Sequence, residues 1–375
     1  MRLTGLRLHH VEIPLVTPFT TSFGTETVKE TYLVEATLAT PDGSATGWGE
    51  CVASPDPLYS SEFLTAAVDV TRRWLAPALY AAGDDLTAET VAHLLRHIVG
   101  HPMAKAALEM AVLDAQLRWR DTSWSAHLGG VVDRVPSGVS VGIQEDAEAM
   151  VRTVGGYLDD GYRRIKLKIK PGADLEPVAA VRRAFGDDLL LQVDANAAYT
   201  LADANHLRRL DEFGLLLIEQ PLGEADLRQH AVLASQLSTP ICLDESIVSA
   251  EAAADAIMLG ATSVINVKPG RVGGYLEARR IHDVARAHGI PVWCGGMVET
   301  GVGRAANAGL AALPGFTLPG DISGSDRFYE EDILTEPILM HDGYVDVPTG
   351  PGTGVEIDPA QLERRRVAVT DVPAG

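Results

Sequence analysis

RIKLK at residues 164–168 opens a series. LLLQVD (189–194), LLLIE (215–219), PICLD (240–244) and VINVK (264–268) follow it, and each short apolar run ends in a charge. The end positions are Lys168, Asp194, Glu219, Asp244 and Lys268, with the pair Gly295-Gly296 closing the series; the steps to Gly296 are 26, 25, 25, 24 and 28 residues. A step of that length holds one strand and one helix. Runs this apolar are strands covered on both sides, the mark of a parallel sheet. If the sheet closes, the carboxyl ends of its strands converge on one mouth, where such barrels carry their chemistry. An open doubly wound sheet also alternates strand and helix, but it gathers ligand residues at one switch point. A (β/α)8-type TIM barrel accounts better for a reactive residue at the end of each successive strand.

Working outward, PSGVSVG (136–142) reads as the strand before the series and 146–160 as its helix. Residues 1–125 lack the repeat. Strands are expected over 3–13, 31–40 and 45–51, with Pro41-Asp42-Gly43 as a turn, then helices over 60–79, 87–99 and 102–121. Strands first and helices afterwards suggest an α+β unit. The 375 residues suit a barrel of roughly 200–250 residues with a smaller companion. The expected division is a capping domain over 1–125, a catalytic barrel over 126–320, and a segment over 321–375 that completes the barrel and packs back on the capping domain.

Thirty-one Lys and Arg against 51 Asp and Glu give a formal charge of −20, which repels nucleic acid and anionic membrane surfaces. The start has no signal-peptide core, and no run approaches the ~18 apolar residues of a membrane span. A soluble, cytoplasmic protein is expected. Cys51, Cys242 and Cys294 form no CxxC pair and read as reduced, buried thiols.

Lys166 and Lys168 lie two apart in a strand and share one face. Turned into a barrel, two crowded, desolvated ammonium groups should have lowered pKa values, as a lysine base requires; an edge strand facing solvent is the plain alternative. Asp194, Glu219 and Asp244 would repel one another at one mouth, and a divalent cation resolves the conflict. Oxygen-only ligation with room for water and substrate favours Mg²⁺ over Ca²⁺, with Mn²⁺ or Co²⁺ as substitutes. Three separate helix caps are the alternative. Asn196 and Glu245 stand one or two residues beyond ligands and are candidates to orient them. Lys268 falls across the mouth from Lys168, so a base on each side of a bound substrate can remove a proton from one face and return it to the other. Arg271 either lowers the pKa of Lys268 or covers a loop carbonyl. GVGRAA at 301–306 fits a dinucleotide fingerprint, but no strand leads directly into it. His9, His10, His282 and His288 have no zinc-ligand spacing.

KLK (166–168), DAN (194–196), EQP (219–221), DES (244–246) and VKPGRVGG (267–274) together resemble the enolase superfamily, in its muconate-lactonizing subgroup. GWGE (47–50) and CGGMVETGVGRAAN (294–307) extend the likeness over nearly the whole chain. PFTTSFGT, PLYSSE, GVSVG and GDISGSDRF resemble its N-acylamino acid racemase and o-succinylbenzoate synthase group. The resemblance implies that Asp194, Glu219 and Asp244 bind Mg²⁺ or a similar ion, that Lys168 and Lys268 are the acid/base pair, and that Lys166 helps hold the substrate carboxylate. It also implies an aromatic lid loop carrying Phe19 and Phe23, with Tyr59, Ser140, Gly296 and Met297 beside the substrate.

The activity expected from that likeness is racemisation of N-acyl, foremost N-succinyl, amino acids by two-base abstraction of the α-proton through an enediolate. o-Succinylbenzoate synthase activity is expected beside it. Rival readings are a synthase dedicated to menaquinone biosynthesis, a muconate-type cycloisomerase and a dipeptide epimerase. The last is disfavoured because Asp321-Ile322-Ser323 stands where such epimerases carry DxD. A noncatalytic barrel binding metal or a small acid would leave the opposed lysines unexplained. The expected partners are a small carboxylate and further copies of the chain in a homo-oligomer.

Overall fold

The structure, a computed structural model, describes residues 1–20 and 24–374. β1 (Arg2–Thr20), β2 (Thr25–Thr40) and β3 (Gly43–Cys51) pair antiparallel, the first two in a long hairpin that runs well beyond the strands expected from sequence. Helix α1 (Pro102–Trp119) is apolar almost all round and correspondingly buried, packed against β2 and β3. β11 (Arg366–Asp371), near the chain end, pairs with β1, giving the order β11-β1-β2-β3.

The repeat forms a second, parallel sheet in sequence order: β4 (Gly138–Val141), β5 (Arg164–Lys168), β6 (Leu191–Asp194), β7 (Ile218–Glu219), β8 (Ile241–Leu243), β9 (Val264–Val267) and β10 (Val292–Cys294). Helix α2 (Tyr275–Ala287) lies between β9 and β10, and α3 (Gly301–Ala311) follows β10. Ile165 and Leu167 are fully buried between their neighbours in β5, while Lys166 and Lys168 take the alternate positions of that strand and line the cavity.

The barrel is modified where an eighth strand belongs. Residues 315–321 form isolated bridges only, Phe316 with Val292 and Gly320 with Ser137, backed by N–H donation from Gly138 to Gly320 (2.7 Å) and from Asp321 to Cys294 (2.8 Å). Pro319 has no N–H to donate, so a regular ladder cannot form there. Closure therefore rests on seven regular strands and one irregular passage. All three cysteines are free and buried, and among the described residues no helix is long and apolar enough to cross a membrane.

Candidate active site

Register brings the first charges side by side. Lys168 pairs with Asp194 and Asp194 with Glu219 across β5, β6 and β7, while Asp244 stands one residue past β8 and Lys268 one past β9. Three strands separate the two lysines in the sheet, yet both line one cavity of about 130 Å³. Lys168 Nζ donates to Asp194 Oδ2 (2.6 Å) and Asn196 Oδ1 (2.7 Å). Lys268 Nζ donates to Asp244 Oδ2 (2.9 Å) and Tyr59 Oη (3.0 Å). Lys166 Nζ lies 2.7 Å from Asp321, 3.0 Å from Glu219 and 3.6 Å from Asp194. Gly295 leaves the passage this needs, because a Cβ there would collide with Asn266 Oδ1 and lie 2.8 Å from Lys268 Cε.

Burial opposes charge on Asp194, Glu219, Asp244, Lys166 and Lys268, and neighbours decide the outcome. Glu219 is pushed up to about 8 by burial and then by the charge of Asp194. Burial also works against Asp194, but Lys168 and Lys166 outweigh it and hold its carboxyl below the usual range. Arg271 and Lys268 do the same for Asp244, more strongly. Lys166 and Lys268 correct the sequence expectation of lowered pKa. Burial lowers Lys166, yet Asp321, Glu219 and Asp194 raise it overall; Lys268 is likewise raised, by Asp244 and Tyr59 against burial. Like-charge repulsion is the smaller effect because acids outnumber the ammonium groups at close range. Arg271 does act to lower Lys268, without prevailing, and it also covers two carbonyls, donating to Ile247 O (3.0 Å) and Asn266 O (2.8 Å) besides pairing with Asp244.

Three buried carboxylates at neighbouring strand ends fit a hard divalent cation. Glu219 Oε2 has no hydrogen-bond donor although it is buried; its 3.0 Å approach to Lys166 is an ion pair without hydrogen-bond geometry. An oxygen in that state is a ready ligand, and the donor set is all oxygen. Among the described residues, the trio of His, Cys, Asp or Glu whose ligand atoms all lie within 4.8 Å of one another is instead His10, Glu12 and Glu30 on the β1–β2 hairpin. The mouth carboxylates stand further apart, with ammonium groups between them.

The cavity also meets Phe19, Tyr59, Ser140, Gly296 and Met297. Ser140 Oγ is buried there with no hydrogen-bond partner, and Tyr59, half-buried, has its hydroxyl pushed up to about 12 by desolvation. Phe19 packs edge-on against Phe328 at 6.4 Å. Phe23 lies outside the described residues. Asn196 joins Lys168 to Glu245, donating to Glu245 Oε1 (3.0 Å), and Glu245 is raised to about 7 by burial and then Asp244. Glu245 and Arg271 do not line the cavity; they stand behind its wall.

Several residues at the mouth escaped the sequence reading. Asp321 ends the irregular eighth passage and holds both Lys166 and Arg164 (2.8 Å). Asn266 donates to Glu219 Oε1 (2.7 Å), and Gln220 accepts the Asp244 N–H (3.0 Å) and donates to Ser246 Oγ (2.8 Å), tying two strand ends together. Trp293 lies 4.7 Å under Lys166 Nζ. Asn266 was findable: it lies two residues before Lys268 and so shares its face. The loop after β10 is fixed from two sides, Lys29 donating to Met297 O (2.9 Å) and Tyr329 to Val298 O (2.7 Å), and this holds Val298 at φ 56°, a strained conformation for a β-branched residue.

Comparison with known proteins agrees with this architecture. Residues 3–129 match the mandelate racemase/muconate lactonizing enzyme N-terminal domain, and residues 149–361 match the enolase C-terminal domain-like family. An N-succinylamino acid racemase of Amycolatopsis sp. is 63% identical over 363 residues, 97% of each chain. An o-succinylbenzoate synthase of Geobacillus kaustophilus is 46% identical over 357 residues, 95% of this chain and 94% of its own. The crystal structure of an enolase-superfamily protein of Listeria innocua superposes with a TM-score of 0.95 at 40% identity, covering 100% of both chains. The chain belongs to the enolase superfamily, with the two-domain make-up of its mandelate racemase/muconate lactonizing enzyme branch.

Proposed function

We propose that this chain is an enzyme that racemises N-acyl amino acids, N-succinyl ones foremost, by moving the α-proton between Lys168 and Lys268, and that it also has o-succinylbenzoate synthase activity. One observation carries the reading: Lys168, half-buried, and Lys268, buried, have three strands of the sheet between them and still reach the same cavity, with a row of carboxylates between them. A single base serves one face of a carbon; a racemase needs one on each side. The 63% identity to an N-succinylamino acid racemase supports the substrate class, and the 46% identity to a synthase supports the second activity.

Asp194, Glu219 and Asp244 would hold a divalent cation of the Mg²⁺ type. When bound, it would supply positive charge that steadies the negative charge developing on the substrate carboxylate and offsets Asp244, the acid that most raises the pKa of Lys268. Lys166, anchored by Asp321 (2.7 Å), places a fixed ammonium beside that carboxylate. Lys168 takes or returns the proton on one face, and Lys268 does so on the other. Phe19 and Phe328 cover the cavity, keep water out and offer an apolar wall to the amino-acid side chain.

The test is proton exchange in D₂O with each enantiomer of an N-succinyl amino acid and Mg²⁺. Wild type should racemise both and incorporate deuterium in both. Lys168→Ala and Lys268→Ala should each abolish racemisation while retaining exchange of one enantiomer at most. Full racemase activity in either variant overturns the two-base reading.

A further inference from the structure

We infer that Arg327 reads a second carboxylate, carried at the end of the substrate's acyl group, and so selects dicarboxylate substrates; the inference rests on the N-acyl racemase reading above. Five cationic side chains line the cavity: Lys29, Lys166, Lys168, Lys268 and Arg327. Four are engaged. Lys166, Lys168 and Lys268 hold acids, and Lys29 donates to the carbonyl of Met297. Arg327 is different: among the described residues it makes no ion pair, and its buried Nε has no hydrogen-bond partner. A buried donor of a charged group left unsatisfied is costly, and such a group in a cavity wall calls for an anion from outside the chain.

The setting also fixes how Arg327 could bind. Its guanidinium carbon lies 4.9 Å from the ring centre of Tyr157 and 5.0 Å from that of Phe328. Contact with aromatic rings holds a guanidinium in place without consuming its N–H groups, which remain free for the planar fork that matches a carboxylate. Phe328 in turn carries Arg304 at 5.2 Å; Arg304 donates to the Ser323 and Glu299 carbonyls (3.0 and 2.8 Å) and, although its Nε is also unpartnered, it does not line the cavity, so it supports the ring from behind. Phe19 of the β1–β2 hairpin meets Phe328 edge-on at 6.4 Å, which places Arg327 beneath the same cover as the reacting centre. An α-carboxylate is provided for by Lys166 and by the divalent cation that Asp194, Glu219 and Asp244 would hold. Arg327 provides for one more negative charge, which an N-succinyl group has and an N-acetyl group lacks.

The experiment compares kcat/KM for one amino acid bearing an N-succinyl group, its neutral N-succinamyl amide, or an N-acetyl group. Wild type should prefer N-succinyl over the amide by roughly 10- to 100-fold, the scale of one charge-assisted bidentate contact. In Arg327→Gln that ratio should collapse toward one, through KM for the succinyl substrate more than through kcat. Arg327→Lys, which keeps the charge but not the fork, should fall between. A wild-type enzyme indifferent to the distal charge overturns the inference without any variant. An unchanged ratio in folded Arg327→Gln overturns it as well. If wild type racemises none of the three compounds, the proposed function itself has failed, and this inference with it.

Discussion

The capping half and the barrel mouth both bury carboxylates, and they satisfy them in different ways. Three buried acids of the capping half, Glu62, Glu50 and Glu109, take backbone N–H groups at helix starts, while Asp114 of α1 instead pairs with Arg118 (2.9 Å). Glu62 accepts from Met103 (2.7 Å) and Ala104 (2.9 Å) in the first turn of α1. Glu50, at the end of β3, accepts from Thr300 N (3.0 Å), Thr300 Oγ1 (2.7 Å) and Gly303 N (3.0 Å) at the start of α3. Glu109 of α1 accepts from Leu276 N (3.0 Å) at the start of α2. Each sits where the helix dipole is positive and donors are unpaired. Two of these three helices belong to the barrel, so Glu50 and Glu109 clamp one domain on the other. At the mouth, by contrast, Asp194, Glu219, Asp244 and Asp321 each face an ammonium or guanidinium group on a side chain, besides the amide donors of Asn196 to Asp194 and Asn266 to Glu219. A backbone donor cannot leave its carboxylate while the helix stands, whereas a side-chain cation can exchange it for a metal or a substrate. One arrangement holds a shape; the other can do chemistry.

The largest test of that contrast is Asp244→Asn. It should weaken Mg²⁺ binding and racemisation together, activity by roughly 10³-fold, the cost of removing one preorganised charge. Mg²⁺ should raise the melting temperature of wild type through binding to the native state, and that rise should vanish in the variant. Isothermal titration and thermal melts check both, and an unaltered metal affinity removes Asp244 from the ligand set.

Glu50→Ala should act on the other side of the contrast. It strands the N–H groups of Thr300 and Gly303, and at 1–3 kcal/mol each the loss is about 4 kcal/mol, readable by urea unfolding. Because Thr300 follows the loop that contributes Gly296, Met297 and Glu299 to the cavity, KM should rise as well. Retained stability would mean that the interdomain clamp lies elsewhere.

The mouth was far more legible in the sequence than the clamps. Lys168, Asp194, Glu219, Asp244 and Lys268 each end an apolar run, so local pattern betrays them. Asp321 ends no such run, because Pro319 interrupts the eighth passage, and its hold on Lys166 spans 155 residues. Glu50 stands in a motif that could be read, but its partner is 250 residues away, a distance over which no periodicity speaks. Arg327 appears in the sequence as one more charge in a glycine-rich stretch; its missing partner is visible only in three dimensions. The expected direction failed for Lys166 for a related reason. Spacing in one strand shows two like charges, while the acids that raise Lys166, Asp321, Glu219 and Asp194, come from three other segments of the chain.

Glu109→Gln gives the smallest effect and the sharpest separation of the two kinds of buried acid. Burial pushes the Glu109 carboxyl up to about 7, against the stabilising N–H of Leu276. Gly274, at φ 145°, is shaped around it, since a Cβ there would collide with the carboxylate. The unfolded chain titrates near the ordinary value of 4.5. Between these values the native state binds the extra proton, so stability should fall as pH rises from about 4.5 through about 7 and level off above. The full penalty is on the order of 3 kcal/mol, from the separation of the two pKa values. Glutamine keeps an acceptor for Leu276 and carries no charge, so the variant should be more stable than wild type at pH 8, with the gap closing toward pH 4.5. Racemase activity should be little changed, since Glu109 is outside the cavity. A gap independent of pH would show that Glu109 stays ionised in the fold, held by the dipole of α2 against its burial.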